Sequence, residues 1–483
     1  MKCNAAMDHM VIQRPENTAS LDFEKGSFRD RTSRVLIHND QVFRVLDHNA
    51  LQEWHNVREK DFYKKSVEDN HIINSEEREL SEFNISNRLT HKWEALLEHE
   101  RIPFISYPYE WSFEMLKDAA LLHLDLLSQA LAADIFLKDS TPYNIQWRGS
   151  SPAFIDTASF IKLPKGSAWT GYRQFCELFL FPLMLQSYKG LPFQPWLRGS
   201  LEGIDATDMR STMSFRDLFR PGVLMHVVLQ AKLQDRYNDS SNNAQQTLKK
   251  AGFNKELIIH NVNNLKRLVN KLQWGKSRST WSNYVNENNY SNKDMEEKKS
   301  FVRKITSSKK YNTVWDLGCN TGTFSLIAAD NAEHVVAIDY DPLTIDHLYQ
   351  SLKKTGNTKI LPLIGNLADP SPGIGWRNME RKPLLERGKP DLIMGLALIH
   401  HLVIAANIPL DEAIHWLAEL GGDLLIEYVD KSDSMTQKLL LNKEDHYSDY
   451  TQENFEQLLG KYFSSIEKTP LNSGTRILYL AQH

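Results

Sequence analysis

The chain has 483 residues, more than the about 100 to 200 that one ordinary core holds, so two or three domains are expected. Its 41% hydrophobic, 24% charged and 10% aromatic residues exclude a disordered, collagenous or low-complexity protein. Lys and Arg number 57 against 61 Asp and Glu, a formal charge of -4, which gives no chain-wide electrostatic reason to seek nucleic acid or an anionic membrane surface.

The three cysteines, Cys3, Cys176 and Cys319, are too few and too scattered for a disulfide framework or a Cys-rich zinc site, and a reducing cytoplasm is expected. No apolar leader with a cleavage site opens the chain. The greasiest runs, 175–185 and 392–409, are interrupted by Glu177 or by His400 and His401. Neither secretion nor a membrane span is expected.

In chain order, Leu116, Ala120, Leu124, Leu127 and Leu131 form one apolar stripe, which predicts a helix packed on a core. Next come Leu137-Lys-Asp139-Ser-Thr-Pro-Tyr-Asn144-Ile145 and Phe154-Ile155-Asp156. These resemble a kinase-like catalytic loop, in which Asp-x-x-x-x-Asn precedes a strand ending in a metal-binding Asp. The resemblance implies Asp139 as base, with Asn144 and Asp156 as oxygen ligands of magnesium. Against an active phosphotransferase, the first 148 residues hold a single glycine, Gly26, so no Gly-rich phosphate loop precedes the motif. No strand lysine is evident for the phosphates either.

The aromatic run Phe175, Phe179, Phe181, Tyr188, Phe193 and Trp196 reads as core, with a hydrophobic acceptor groove as the alternative. A polar stretch, Asp235 to Gln246, reads as a linker or surface loop. Beyond it Ile258, Val262, Leu265, Val269 and Leu272 make the stripe of an amphipathic helix that should dock on a domain or a partner helix. A second polar stretch, Asn286 to Lys299, ends in the charge run KDMEEKK, and the main domain boundary is placed near residue 300.

From there strands and helices alternate. Strands are expected at Thr313 to Leu317, His334 to Ile338, Lys359 to Ile364, Asp391 to Gly395 and Gly422 to Tyr428. Helices are expected at Thr323 to Asp330, Leu343 to Lys354, Asp411 to Leu420 and Gln452 to Leu459. The pattern implies an α/β domain with a doubly wound parallel sheet, and Arg476 to Ala481 reads as an antiparallel edge strand.

The most informative phrase is VWDLGCNTGTFSL, Val314 to Leu326, a strand running into a glycine turn that opens a helix. In open α/β sheets ligands bind at the carboxyl ends of strands, and Gly318 and Gly322 permit a tight turn with close backbone approach. The next strand ends in Asp339, 23 residues after Asp316, where a carboxylate can accept both hydrogen bonds of a ribose diol. The dinucleotide fingerprint fails, because Asn320 and Thr323 stand at the later glycine positions. Asp316 would also repel a pyrophosphate, yet it suits a ligand carrying an amino group and a sulfonium, S-adenosyl-L-methionine.

At these residues the chain resembles the class I S-adenosylmethionine-dependent methyltransferases, over residues 300–483. The resemblance implies a Rossmann-like sheet, with Asp316, Gly318, Asn320 and Gly322 lining the methionine end of the cofactor and Asp339 holding the ribose. Ile364-Gly365-Asn366-Leu367 stands where family members often carry an acid near the adenine, so Asn366 and Leu367 are the adenine candidates. Longer phrases, GSFRDR at Gly26 to Arg31, LKDSTPYNIQW, FIDTASF, GYRQFCELFLFPLML, DPSPGIGW at Asp369 to Trp376 and LLIEYVDKSD at Leu424 to Asp433, are similar to the nodulation protein NoeA-like methyltransferases of bacteria.

Methyl transfer is an in-line displacement in which the enzyme mainly positions the reactants, and a base is optional. His400 and His401, at the carboxyl end of the fourth strand, and Glu427, at the end of the fifth, are the catalytic candidates, the latter to orient an acceptor. The alternatives are packing or solvated histidines and a structural carboxylate. No Asn-Pro-Pro-Tyr motif follows the fourth strand, so an adenine or glutamine amide acceptor loses support. The loop Asp369 to Trp376 reads as a rigid turn presenting an aromatic face, or else as a packed loop.

Three parts follow: an N-terminal α+β module over 1–240, possibly kinase-like, a helical connector over 241–299 and a methyltransferase domain over 300–483. The expected reaction moves a methyl group to an oxygen or nitrogen of an unidentified acceptor, with a small molecule or glycan favoured. No metal is assigned to that site. A kinase-like phosphotransferase centred on Asp139, Asn144 and Asp156, and a binding protein on a methyltransferase scaffold, are the alternatives.

Overall fold

Short stretches with Val, Leu and Phe among polar residues, β1 (Ser33–His38), β2 (Gln41–Leu46) and β4 (Ala95–His99), form the first sheet together with the polar, mostly exposed β3 (Ser75–Arg78). It is antiparallel, in the order β1-β2-β4-β3. Leu36, Phe43, Val45 and Leu96 make its core. The computed structural model describes residues 23–80, 93–164, 168–232, 255–275, 292–441 and 443–483. Contacts divide the chain into two compact units, Met1–Glu53 with Asn74–Arg101, which holds this sheet, and Trp54–Ile73 with Ile102–His483. Residues on both sides of the expected joints at 240 and 300 share the second unit.

In the second unit, helix α1 (Phe113–Ala132) starts at Ser112, whose hydroxyl accepts from the Met115 N–H, and buries the whole expected stripe of Leu116, Ala120, Leu124, Leu127 and Leu131. Two small ladders follow, β5 (Ile135–Leu137) with β8 (Phe160–Lys162) and β6 (Ile145–Arg148) with β7 (Ser151–Phe154). Phe175, Phe179, Phe181 and Phe193 are core, while Trp196 is 38% exposed. A π-helical turn, Cys176–Leu180, leads into helix α2 (Phe181–Lys189). The amphipathic stripe of helix α3 (Lys255–Lys271) docks on α1, its Lys266 and Lys255 paired with Asp125 and Asp134. The expected polar loop Asp235 to Gln246 lies outside the described residues. The charge run KDMEEKK, expected as part of a polar stretch, is instead the start of helix α4 (Asn292–Ser308), which runs through residue 300.

Seven strands build the large sheet: β9 (Thr313–Leu317), β10 (His334–Asp339), β11 (Ile360–Ile364), β12 (Leu392–Gly395), β13 (Asp423–Val429), β14 (Ser465–Pro470) and β15 (Arg476–Gln482). Their order is β11-β10-β9-β12-β13-β15-β14. The first five are parallel and mostly apolar, as strands covered on both faces tend to be, with Asp316, Asp339 and Glu427 toward their carboxyl ends. Helices α5 (Thr323–Ala329), α6 (Pro342–Thr355) and α7 (Leu410–Glu419) connect them, and α8 (Gln452–Tyr462) precedes the final hairpin. One expectation is corrected: Arg476–Gln482 is not the edge. It lies between β13 and β14, antiparallel to both. The true edge, Ser-Ile-Glu-Lys-Thr-Pro, is almost wholly exposed, and its charges blunt further pairing.

The two halves of this unit share close contacts. The Phe104 ring meets Trp315 of β9 edge-on at 5.5 Å, and Trp147 meets Tyr349 of α6 at 5.5 Å. Asp346 of α6 accepts from the Glu114 N–H at 2.9 Å, and the Tyr349 hydroxyl donates to Asp118 at 2.5 Å.

Candidate functional site

The carboxyl end of β9 carries the glycine turn. Gly318 and Gly322 have φ of +80° and +79°, a region closed to most side chains, and Asn320 joins them at +48°. A Cβ on Gly322 would lie 2.6 Å from Leu348 Cδ1, so the turn presses its backbone onto α6. The Gly318 and Cys319 N–H groups donate to the Ile338 carbonyl, at 2.8 and 3.1 Å, and hang the turn on β10.

Two carboxylates back this turn. Asp339 accepts from the Asn320 N–H at 2.8 Å and from the Asp341 N–H at 2.9 Å, which fixes its plane below the loop. Burial holds its carboxyl above the usual range against those same N–H groups. Asp316 is 2% exposed and accepts from the Ser325 hydroxyl at 2.5 Å. Burial pushes it up to about 6, helped by the neighbouring Asp339 charge and opposed by Ser325 and Lys298. A cation placed beside these two groups would relieve that cost, so the donor set fits a nucleoside that carries a sulfonium and an ammonium.

At the end of β11, Asn366 accepts from the Ala368 N–H at 3.0 Å through its carbonyl oxygen, a bond that leaves its N–H₂ uncommitted. Asn366 and Leu367 line a cleft together with Ile338 and Ile364. Trp376 is 66% exposed, on a turn where Gly375 has φ +84°, so it presents a face to solvent rather than packing inward.

The end of β12 is strained, with Ala397 at φ +53°. His400 follows, fully buried, with neither ring nitrogen hydrogen-bonded. Its ring lies 4.3 Å from that of His401. Burial drives His400 well below the ordinary histidine value and His401 down to about 4, so both imidazoles are neutral at physiological pH.

Glu427 of β13 is placed otherwise than expected. It is fully buried, and its oxygens receive Lys298 Nζ at 2.6 Å and Arg476 Nη1 at 3.2 Å. Arg476 also forks onto Asp433 at 2.8 and 3.0 Å. A carboxylate committed to two buried cations is their counter-ion rather than a group that meets an acceptor. Lys298 and Arg476 escaped the reading of the residues. The signal for Lys298 was present: it precedes Phe301, Val302 and Ile305 by three, four and seven positions, on the apolar face of α4. Arg476 sits in a strand expected at an edge, where a cation is ordinary.

In the N-terminal half, Asn144 Nδ2 donates to Ser159 Oγ at 3.3 Å and Ser159 Oγ donates to Asp156 at 2.5 Å. Asn144 and Asp156 therefore meet through Ser159, with Asp139 half-buried on the loop before them. Among the described residues there is no group of three or more His, Cys, Asp or Glu placed to hold a metal ion, and no helix long and apolar enough to cross a membrane.

No protein-family model matches the chain. Nodulation protein NoeA of Rhizobium meliloti (strain 1021) is 33% identical over 462 residues, 94% of either chain. Among solved structures, the N-methyltransferase NodS from Bradyrhizobium japonicum WM9 is 14% identical over 40% of this chain and 98% of its own, with a TM-score of 0.29. WbdD is 18% identical over 39% of each chain, with a TM-score of 0.28. Likenesses this partial carry nothing further.

Proposed function

Because the chain belongs to the family of nodulation protein NoeA, we propose that it binds S-adenosyl-L-methionine at the carboxyl edge of the seven-stranded sheet and transfers the methyl group to an oxygen or nitrogen of a small-molecule or glycan acceptor. The observation that carries this is the left-handed turn Gly318 to Gly322, hung on β10 and backed by the buried Asp316 and the oriented Asp339. The strand order, with an antiparallel hairpin closing five parallel strands, supports the Rossmann-like reading of residues 300–483.

In this reading Asp316, Gly318, Asn320 and Gly322 hold the methionine end, Asp339 the ribose hydroxyls, and Asn366 with Leu367 the adenine edge. The bound cofactor supplies an electrophilic methyl group on a sulfonium. The residues of the chain exclude water, orient the acceptor and take its proton. Of the two histidines His401 is the half-buried one and so the one that an acceptor can reach, while His400 packs behind it. Lys298, Glu427 and Arg476 hold the wall behind it. Buried Cys176 and Cys319, both free thiols, are compatible with a reducing cytoplasm.

A second reading, phosphotransfer at Asp139, Asn144 and Asp156, has the Ser159 bridge in its favour. Calorimetric titration with S-adenosylmethionine and separately with Mg-ATP tests both. Saturable binding of the first that Asp339→Ala removes supports methyl transfer. Binding of Mg-ATP alone, lost in Asp156→Ala, overturns it.

A further inference from the structure

Residues 215–229 present a run of large apolar side chains to solvent. Phe215 and Phe219 are 76% and 78% exposed, and Leu224, Met225 and Leu229 lie between 47% and 61%. No other stretch of that length exposes as many large apolar side chains among the described residues. The two phenyl rings meet edge-on at 5.7 Å, so that one extends the surface of the other.

The backbone beneath them is fixed. Asp217 is buried, and it accepts from the Ser214 N–H and from Lys189 Nζ, both at 2.8 Å, and from Arg220 Nε at 3.1 Å. These bonds tie the short helical turn Arg216–Phe219 to α2. A Cβ on Gly222 would lie 2.5 Å from Leu268 Cδ2, so the following turn sits directly on α3. In the π-helical segment Val223–Val228 and its continuation, Val223, Val227 and Ala231 are buried at intervals of four, while Pro221, Met225 and Leu229 are exposed at the same interval. A helix that is apolar on two sides and buries one of them leaves the other without a partner.

The charges around this face have one sign. From Met209 to Lys232 the sequence holds a single acid, Asp217, and that carboxylate is spent on Lys189 and Arg220. Arg216, Arg220 and Lys232 are exposed, and each of the two phenylalanines is followed directly by an arginine. Basic side chains in that position lay their stems along an apolar surface and keep their charge at the level of lipid phosphates. A second copy docked face to face would set these cations against their own counterparts. The adjoining residues 233–254, mostly polar in sequence, supply few apolar side chains to cover the face.

We propose that Phe215, Phe219, Leu224, Met225 and Leu229 form a membrane-docking face that enters the headgroup layer of an anionic bilayer, with Arg216, Arg220 and Lys232 against the lipid phosphates. This is peripheral binding, for which no spanning helix is needed. It is independent of the methyl-transfer reading, because none of these residues belongs to the sheet edge.

The test is flotation of the full chain with vesicles of phosphatidylcholine alone and with vesicles of equal parts phosphatidylcholine and phosphatidylglycerol. The wild type should float with the mixed vesicles, and less so as salt is raised. Phe215→Ser combined with Phe219→Ser should weaken that binding by at least about tenfold, through lost apolar burial. Arg216→Gln combined with Lys232→Gln should weaken it about tenfold and flatten the salt dependence. Arg220 is left in place because it also holds Asp217, and the four substituted side chains are exposed, so the core is undisturbed. A wild type that does not bind the mixed vesicles overturns the proposal, as does equal binding to both kinds of vesicle or binding that both variants retain in full. A wild type that floats with neither and self-associates through this face, with the Phe215→Ser, Phe219→Ser variant monomeric, gives the face to a second copy and overturns the proposal as well.

Discussion

The carboxyl edge of the large sheet and the Asp139 to Asp156 segment both carry a motif of acids and an amide, yet they use their polar groups differently. At the sheet edge the backbone is forced into left-handed turns at Gly318, Asn320, Gly322 and Ala397, Asp316 is held near a pKa of about 6, and the ring nitrogens of His400 make no hydrogen bond. That edge is built at a cost that a ligand would offset. In the Asp139 segment, Asn144 and Asp156 are joined through Ser159, and neither residues 139–144 nor Asp156 have a positive φ. Backbone strain marks the sheet edge and not that motif.

The sharpest way to break the comparison is to unbalance the charges under the sheet edge. Glu427→Gln leaves Lys298 and Arg476 buried without their shared carboxylate, and should cost about 3 to 5 kcal/mol in denaturant unfolding. Asp156→Ala, tested in parallel, should cost less. Next in size, Asp339→Ala should weaken S-adenosylmethionine binding about 100-fold by removing the acceptor of two ribose hydrogen bonds. Asp156→Ala should leave that affinity unchanged by calorimetry, and a matching loss there would erase the distinction between the two regions.

The pH dependence of binding sharpens it further. A cationic cofactor favours the ionised form of Asp316, so below about pH 6 binding must first expel a proton. Affinity should fall about tenfold per pH unit beneath that value, and Asp316→Asn should flatten the profile. The sign for the unliganded protein is the reverse. Its folded state holds that proton more tightly than the unfolded chain, so this group costs stability as pH rises from about 4 to 6. The smallest effect is expected at Trp376, exposed on its turn, where Trp376→Ala should change stability by about 0.5 kcal/mol or less in thermal or denaturant unfolding.

Much of the sheet was legible, because buried parallel strands are continuous apolar runs between glycine and acid turns. Val314 to Leu326 announced its own geometry for that reason. Ser465–Pro470 was illegible, because an exposed edge strand looks like a loop. Lys298 hid in a charge run, although its spacing to Phe301, Val302 and Ile305 marked an inward face.

The amino-acid sequence by itself determined the local events: which runs become strands, where the glycines turn, and that acids end β9 and β10. These depend on neighbours a few residues apart, through side-chain periodicity and allowed φ. Only the tertiary structure decided the fate of the charges, since Coulomb energy and desolvation depend on distance in space. Glu427 became a buried counter-ion because Lys298 and Arg476 reach it from 129 positions before and 49 after. Arg387 became a buried counter-ion because Glu110 grips it from the other half of the unit.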